Sequence, residues 1–337
     1  FTSFSFAEID IGDDFVAGDL ISAEEFNQKF GKLKKVVGEI KDSDILGVWD
    51  CISYKETLNP EYADAHYELA LILSENNEFE KSKVHFLKTI EIREEFALSH
   101  FHYALLLNKM KDHKASKEHF LKTIEIRPDF ALAHFNYALL SHEMKAHKTS
   151  QEHFLKAIDI DQNFADAHYY FGLLLAELED FEEAKNNLEK ATDIDQNHTL
   201  AYYNLAKLLI DPEDYEKAKK NYLTAIDIDE SYADAHYYLG KLLAGGLKND
   251  KDGTLVKRPE YEDAIYHYKQ TISINKKYAK AHYNLALMYK IQKKYNDAKK
   301  HFEEAISIIN DYSKAHFHLA MLLKETNEIE HGENNIA

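Results

Sequence analysis

The chain has almost no cysteine: Cys51 stands alone in 337 residues, so no disulfide framework can form within it, and a reducing compartment is the mild preference. Glycine is scarce at 11, and no glycine-rich phosphate cradle, nucleophile elbow or Cys–His pair can be found, so the sequence gives no support to catalysis. No apolar run approaches the ~20 residues needed to span a bilayer, and no signal-peptide pattern opens the chain. The first residue is Phe1 rather than Met, so an N-terminal piece is expected to have been removed or left out. Basic residues are also in deficit, with 41 Lys plus Arg against 59 Asp plus Glu and a formal charge of -18. That balance argues against nucleic acid and against an anionic membrane surface, and suits basic or polar protein partners. The cytoplasm is the expected location, an organelle the second.

What the chain does have is a repeat. Tyr62, Phe96, Phe130, Phe164, His198 and Tyr232 follow one another at 34 residues; Tyr278 comes after 46 and Tyr312 after 34 again. This period predicts a solenoid in which each unit contacts only its neighbours, so the repeats form one elongated domain. Seven full units and a partial eighth occupy 63–337, and the sixth is enlarged by an insertion loop at 245–260. Before them, 22–62 reads as a degenerate helical repeat with Trp49 and Ile52 on an apolar face. Residues 1–21 form an arm of five acids with no Lys or Arg, among which stand Phe4, Phe6 and Phe15.

Each unit reads as two helices. The first, such as 97–110, is apolar or small almost all the way round, which predicts an inner position; the second, such as 113–126, has one apolar stripe and predicts an outer one. Pro60 and Pro128 fall between units and Pro212 between the helices of one unit, where breaks are required. The fourth proline, Pro259, lies in the insertion.

Within a unit the eighth residue is small (Ala70, Ala104, Ala138, Gly172, Ala206, Gly240, Ala286, Ala320), as is the twentieth (Ser82, Ser116, Ser150, Ala184, Ala218, Ala264, Ala298). The twenty-fourth is aromatic (Phe86, Phe120, Phe154, Tyr222, Tyr268, Phe302), with Leu188 the exception. These columns, over residues 63 to 323, resemble the tetratricopeptide repeat family. The resemblance implies an all-α fold, a right-handed superhelical α-solenoid of helix–turn–helix units. It also implies a concave groove in which partner proteins bind, lined by positions 2, 5, 9 and 12 of each first helix. The family's proline at position 32 survives only at Pro60 and Pro128.

Histidine recurs at the fourth position: His66, His100, His134, His168, His236, His282 and His316. A metal ladder would need ligands roughly 2 Å from one ion, whereas packed helices lie about 10 Å apart, so packing is the preferred reading. A second column (His85, His119, His153, His267, His301) is expected to be solvated on the outer helices. His142 and His147 are five apart rather than four and straddle a turn, which disqualifies a metalloprotease motif; Asp250, Asp252 and Gly253 lack the remainder of a calcium loop. No metal, cofactor or catalytic residue is assigned.

The fifth position is always aromatic: Tyr67, Phe101, Phe135, Tyr169, Tyr203, Tyr237, Tyr283 and Phe317. Two uses compete equally for these rings, packing between units and a rail for peptides. At position 6 asparagine is too sparse for the asparagine ladder of O-linked N-acetylglucosamine transferases, and the carboxylate clamp of chaperone-binding members is missing. Along positions 2, 9 and 12 the early units offer Leu98, Leu105, Leu132 and Leu139, whereas the later ones offer Lys207, Lys241, Lys280, Lys290, Lys314 and Lys324. This polarity predicts a partner segment with an apolar portion on the early units and an acidic portion on the late ones. The expected function is a non-enzymatic scaffold or adaptor in a larger assembly. The alternative is the substrate-recognition half of an enzyme whose catalytic domain lies elsewhere. The arm has the ligand's own character, which leaves self-association through it open.

Overall fold

A computed structural model describes residues 60–209, 211–245 and 260–334. The arm at 1–21, the degenerate unit as far as residue 59 and the insertion at 246–259 lie outside them. Among the described residues the chain forms fifteen α-helices and no strand. In order they are α1 (Pro60–Glu75), α2 (Phe79–Ile92), α3 (Ala97–Lys109), α4 (His113–Ile126), α5 (Ala131–Glu143), α6 (His147–Ile160), α7 (Ala165–Glu177) and α8 (Phe181–Ile194). They continue as α9 (Thr199–Leu208), α10 (Tyr215–Ile228), α11 (Ala233–Gly245), α12 (Tyr261–Ile274), α13 (Ala279–Ile291), α14 (Tyr295–Ile308) and α15 (Ser313–Asn334). A 3₁₀ turn at Pro212–Asp214 leads into α10.

Odd-numbered helices are the first of each pair and even-numbered ones the second. Each packs against its sequence neighbours, and α1 with α3, α3 with α5, α5 with α7 and α11 with α13 also touch directly, which places the first helices on the inside. The turn within a unit closes by a Schellman motif: after α3 the Asp112 N–H donates to the Leu107 carbonyl at 2.9 Å and the Lys111 N–H to Asn108 at 3.0 Å. The same position takes a left-handed conformation in five units, at Asn77, Lys111, Lys145, Glu179 and Lys293, without a glycine.

The small columns are small because the two helices of a pair nearly touch there. Ser82, Ser116 and Ser150 are fully buried and donate Oγ–H to the carbonyls of Ala70, Ala104 and Ala138 at 2.7, 2.8 and 2.8 Å. In the unit that departs from the aromatic column the helices are equally close: a Cβ on Gly172 would come within 3.0 Å of Leu188 Cγ. The enlarged unit keeps the common register. Gly240 faces Tyr268 with the same 3.0 Å clearance, and the Glu260 N–H returns to the Leu243 carbonyl at 3.0 Å. Glu260 then holds Lys219 at 2.6 Å and accepts from the Tyr215 hydroxyl at 3.1 Å, tying this unit to the previous one.

One expectation is corrected. The outer histidines are not solvated: His85, His119, His153, His267 and His301 each place Nδ1 within 2.8–3.0 Å of Nδ1 of the inner histidine in the same unit. Burial, first, and the neighbouring ring, second, push all five down to about 4, so they are neutral at pH 7.

Candidate partner-binding groove

The inner face is built from the first helices, whose positions 2, 5, 6 and 9 succeed one another along the array. The structure separates the aromatic column from the rest. Tyr67, Phe101, Phe135, Tyr169, Tyr203 and Tyr237 are at most 8% exposed. Tyr67 shows what occupies them: its ring lies 6.2 Å from Phe86, 5.0 Å from Phe96 and 5.8 Å from His102 of the next unit. Phe135 and Tyr203 repeat this arrangement with their own neighbours. These six rings belong to the joint between units, because a ring packed on three sides has little surface left for a ligand; as a rail they are withdrawn. Tyr283 is half-buried, and Phe317, near the end of the array, is 61% exposed.

What the groove presents instead is position 6 beside positions 2 and 9. Tyr170 and Tyr238 stand edge-on over the fifth-position rings of the preceding units, at 5.7 and 5.8 Å; Tyr170 is exposed and Tyr238 half-buried. Sequence reasoning passed over both, having inspected that column only for asparagines. Its signal was the doublet Tyr-Tyr in units four and six. The asparagines of the column turn inward, Asn136 and Asn204 to the carbonyls of Leu132 and Leu200, and Asn284 to the Tyr237 hydroxyl at 3.3 Å.

Leu98, Leu105, Leu132 and Leu139 line the early units half-buried, resting on the core clusters beneath. His102, among them, is pushed down to about 4 by burial and then by Lys109, and is therefore uncharged. In the later units Lys207, Lys241, Lys280, Lys314 and Lys324 are exposed. Lys207 lies 5.2 Å over Tyr203 and 5.7 Å over Tyr238, and Lys241 lies 5.8 Å over Tyr238. Lys290 is different: it is paired with Glu325 at 3.2 Å, so it no longer counts as a groove cation.

Lys241, Lys280 and Lys314 come together. They line one hollow of about 510 Å³ that crosses α11, α13 and α15, with Tyr238, Tyr283 and Asn284 in its wall. Tyr237, at its floor, is pushed up to about 12, chiefly by burial, so its hydroxyl remains neutral. The one acid at position 2 in this half, Asp234, accepts from the Tyr278 hydroxyl at 2.6 Å. Among the described residues no cluster of three or more His, Cys, Asp or Glu is placed to hold a metal, and no helix is long and apolar enough to cross a membrane.

Comparisons with known proteins agree with this architecture. Four models of the tetratricopeptide or TPR repeat match the chain, at 63–96 and 97–130, at 153–186, at 207–245 and 254–292, and at 279–312. No curated protein matches it by sequence. Among solved structures it is similar to pilF of Pseudomonas aeruginosa, with 17% identity over 68% of this chain and 99% of that one and a TM-score of 0.56. It is similar also to the C-terminal part of a TPR repeat-containing protein from Cytophaga hutchinsonii, with 14% identity, 74% and 97% coverage and a TM-score of 0.58. The APC/C hetero-tetramer Cut9–Hcn1 aligns at 18% identity over 75% of this chain and 48% of that one, with a TM-score of 0.53. Identities this low speak to the fold alone, but the repeat models together cover more than half of the chain, which belongs to the tetratricopeptide repeat family.

Proposed function

We propose that this chain is a non-enzymatic interaction scaffold that holds an extended segment of a partner protein along its groove, apolar toward the early units and acidic toward the late ones. The observation that carries this reading is the reversal of sign within the groove. In a chain of net charge -18, Lys241, Lys280 and Lys314 converge on one hollow whose wall contains no carboxylate. Solubility does not require such a cluster, whereas complementarity with an acidic ligand does. The half-buried Leu98, Leu105, Leu132 and Leu139 supply the apolar end.

The test is purification of the full chain with its partners, identified by mass spectrometry, beside the variant K241E/K280E/K314E. Partners held in the groove are expected to be lost from the variant, and the salt dependence of the remaining binding to flatten. Partners captured equally by both proteins, with equal salt response, would refute the groove as the binding surface.

A further inference from the structure

We propose that the hollow crossing α11, α13 and α15 receives a phosphorylated side chain of the partner segment, with the phosphate among Lys241, Lys280 and Lys314. This deepens the scaffold reading and rests on it only for the ligand being a protein.

The first argument is charge balance. Three ammonium groups come from three successive inner helices, and none of the three is in an ion pair among the described residues. A second hollow, of about 550 Å³, also has three lysines (Lys293, Lys294, Lys299), but Asp297 shares its wall. The groove site thus lacks the internal neutralisation found elsewhere on the same array. One carboxylate brings a single negative charge to three positive ones, whereas a phosphorylated side chain brings about two and three strong acceptor oxygens.

The second argument is the kind of cation. All three are lysines, and no arginine stands in the wall. Lysine binds phosphate as a point charge on a flexible stem, so a set of lysines alone suits a tetrahedral dianion approached from different directions, whereas the fork of a guanidinium, which would grip a planar carboxylate or a phosphate in a fixed bidentate geometry, is not there. Helix axes one repeat apart are about 10 Å from each other, a gap that the long stem of Lys280 can close together with that of Lys241 or of Lys314, while the third lysine adds its charge from the far side.

The third argument is the wall. Tyr238, Tyr283 and Tyr312 are half-buried around the hollow, and Asn284 is held within it by the Tyr237 hydroxyl at 3.3 Å. A ring that carries the phosphate can lie against these tyrosines, so phosphotyrosine is favoured over phosphoserine.

The experiment uses four fluorescein-labelled pentapeptides, Gly-Ala-X-Ala-Gly, in which X is phosphotyrosine, phosphoserine, glutamate or tyrosine, titrated with the full chain by fluorescence anisotropy. Saturable binding is expected for the phosphotyrosine peptide, more weakly for the phosphoserine one, and about tenfold tighter than for glutamate. K280E/K314E should weaken it by about tenfold or more; both lysines are exposed, and unchanged circular dichroism will show that the variant is folded. Binding should also fall from pH 7.5 to 5.5, because the phosphate loses its second charge near pH 6 while lysine keeps its own. Equal affinity for the glutamate peptide, no saturable binding by either phosphopeptide, or indifference to K280E/K314E would overturn the proposal. Phosphatase treatment separates it from the scaffold reading. Groove partners that still bind after dephosphorylation remove the phosphate and leave the scaffold, whereas their loss supports the phosphate.

Discussion

His100 and His119 face each other through Nδ1 atoms 2.9 Å apart, and the direction of the bond is set by a third group. Nε2 of His100 lies 2.9 Å from the Glu94 carbonyl, to which only an N–H can donate. Its Nδ1 must then accept, and His119 donates. The same order is repeated at His134–His153 beneath the Pro128 carbonyl and at His282–His301 beneath Lys276. Each pair joins the inner helix of a unit to its outer one. In unit four the outer residue is Asn187 and the direction reverses: His168 Nδ1–H donates to Asn187 Oδ1 at 3.0 Å.

These pairs make stability depend on acid. The outer imidazoles have folded pKa values of about 4, below the 6.5 of a free one, through burial and the inner ring. A base whose pKa is depressed by folding contributes stability that is fully present above pH 6.5 and is lost as pH falls from there toward 4. The thermal midpoint, followed by circular dichroism, should therefore fall across that window. Replacing His119, His153 and His301 by Asn, the residue that already serves in unit four, should make the fall shallower. Identical pH profiles for the two proteins would show that these three outer histidines do not govern acid sensitivity.

A second prediction concerns the turns. Lys145 holds φ at 60° between α5 and α6, and its side chain is exposed and in no ion pair among the described residues. The left-handed conformation is costly for a residue with a Cβ, and the greater freedom of glycine in the unfolded chain offsets only part of the gain from removing it. Lys145→Gly should stabilise by about 0.5–1 kcal/mol in thermal unfolding. Lys111, at 66°, is a poorer choice because it also holds Glu143 at 3.0 Å. A lower midpoint for Lys145→Gly would mean that this turn is not strained.

The insertion gives a third. His236 reaches His267 at 2.9 Å across 31 residues, where the other histidine pairs span 19, so the 12 additional residues leave the pairing of α11 with α12 unchanged. Deleting 247–258 leaves three residues between the helices, as between α7 and α8, and preserves Glu260 for Lys219 and Tyr215. Loop length enters the free energy only logarithmically, so helicity and thermal midpoint should hardly change. A midpoint lower by many degrees would assign the inserted residues a packing role.

The repeat, its register and its inner and outer helices were legible because spacing alone reports them: a 34-residue period and small residues opposite large ones require two close helices. The groove was legible only in part. A column of rings at position 5 has the same pattern whether it packs or binds, and only burial at 8% or less decided for packing in six units. The outer histidines were misread because the pattern of one helix cannot show that a ring on the next lies within hydrogen-bonding distance. Lys290 was misread for a similar reason, since Glu325 lies 35 residues away and is brought to it by the turn into α15.

That misreading yields a sharp comparison between two lysines on one helix. Lys280 and Lys290 both stand on α13 at groove positions, and their sequence contexts do not separate them. Lys290 is already neutralised by Glu325, whose carboxylate also accepts from the Tyr295 hydroxyl at 3.1 Å and is held below the usual carboxylate range, first by the bond to Lys290 and then by that to Tyr295. Lys280 is exposed at the mouth of the hollow. If an acidic segment is steered by net groove charge, Lys280→Ala should lower the association rate for a captured partner and weaken its salt dependence, whereas Lys290→Ala should do much less. Stopped-flow association at two ionic strengths would distinguish them. Equal losses from the two variants would mean that the groove field, rather than the hollow at α11, α13 and α15, draws the ligand in, and the site would have to be widened to the whole inner face of the later units.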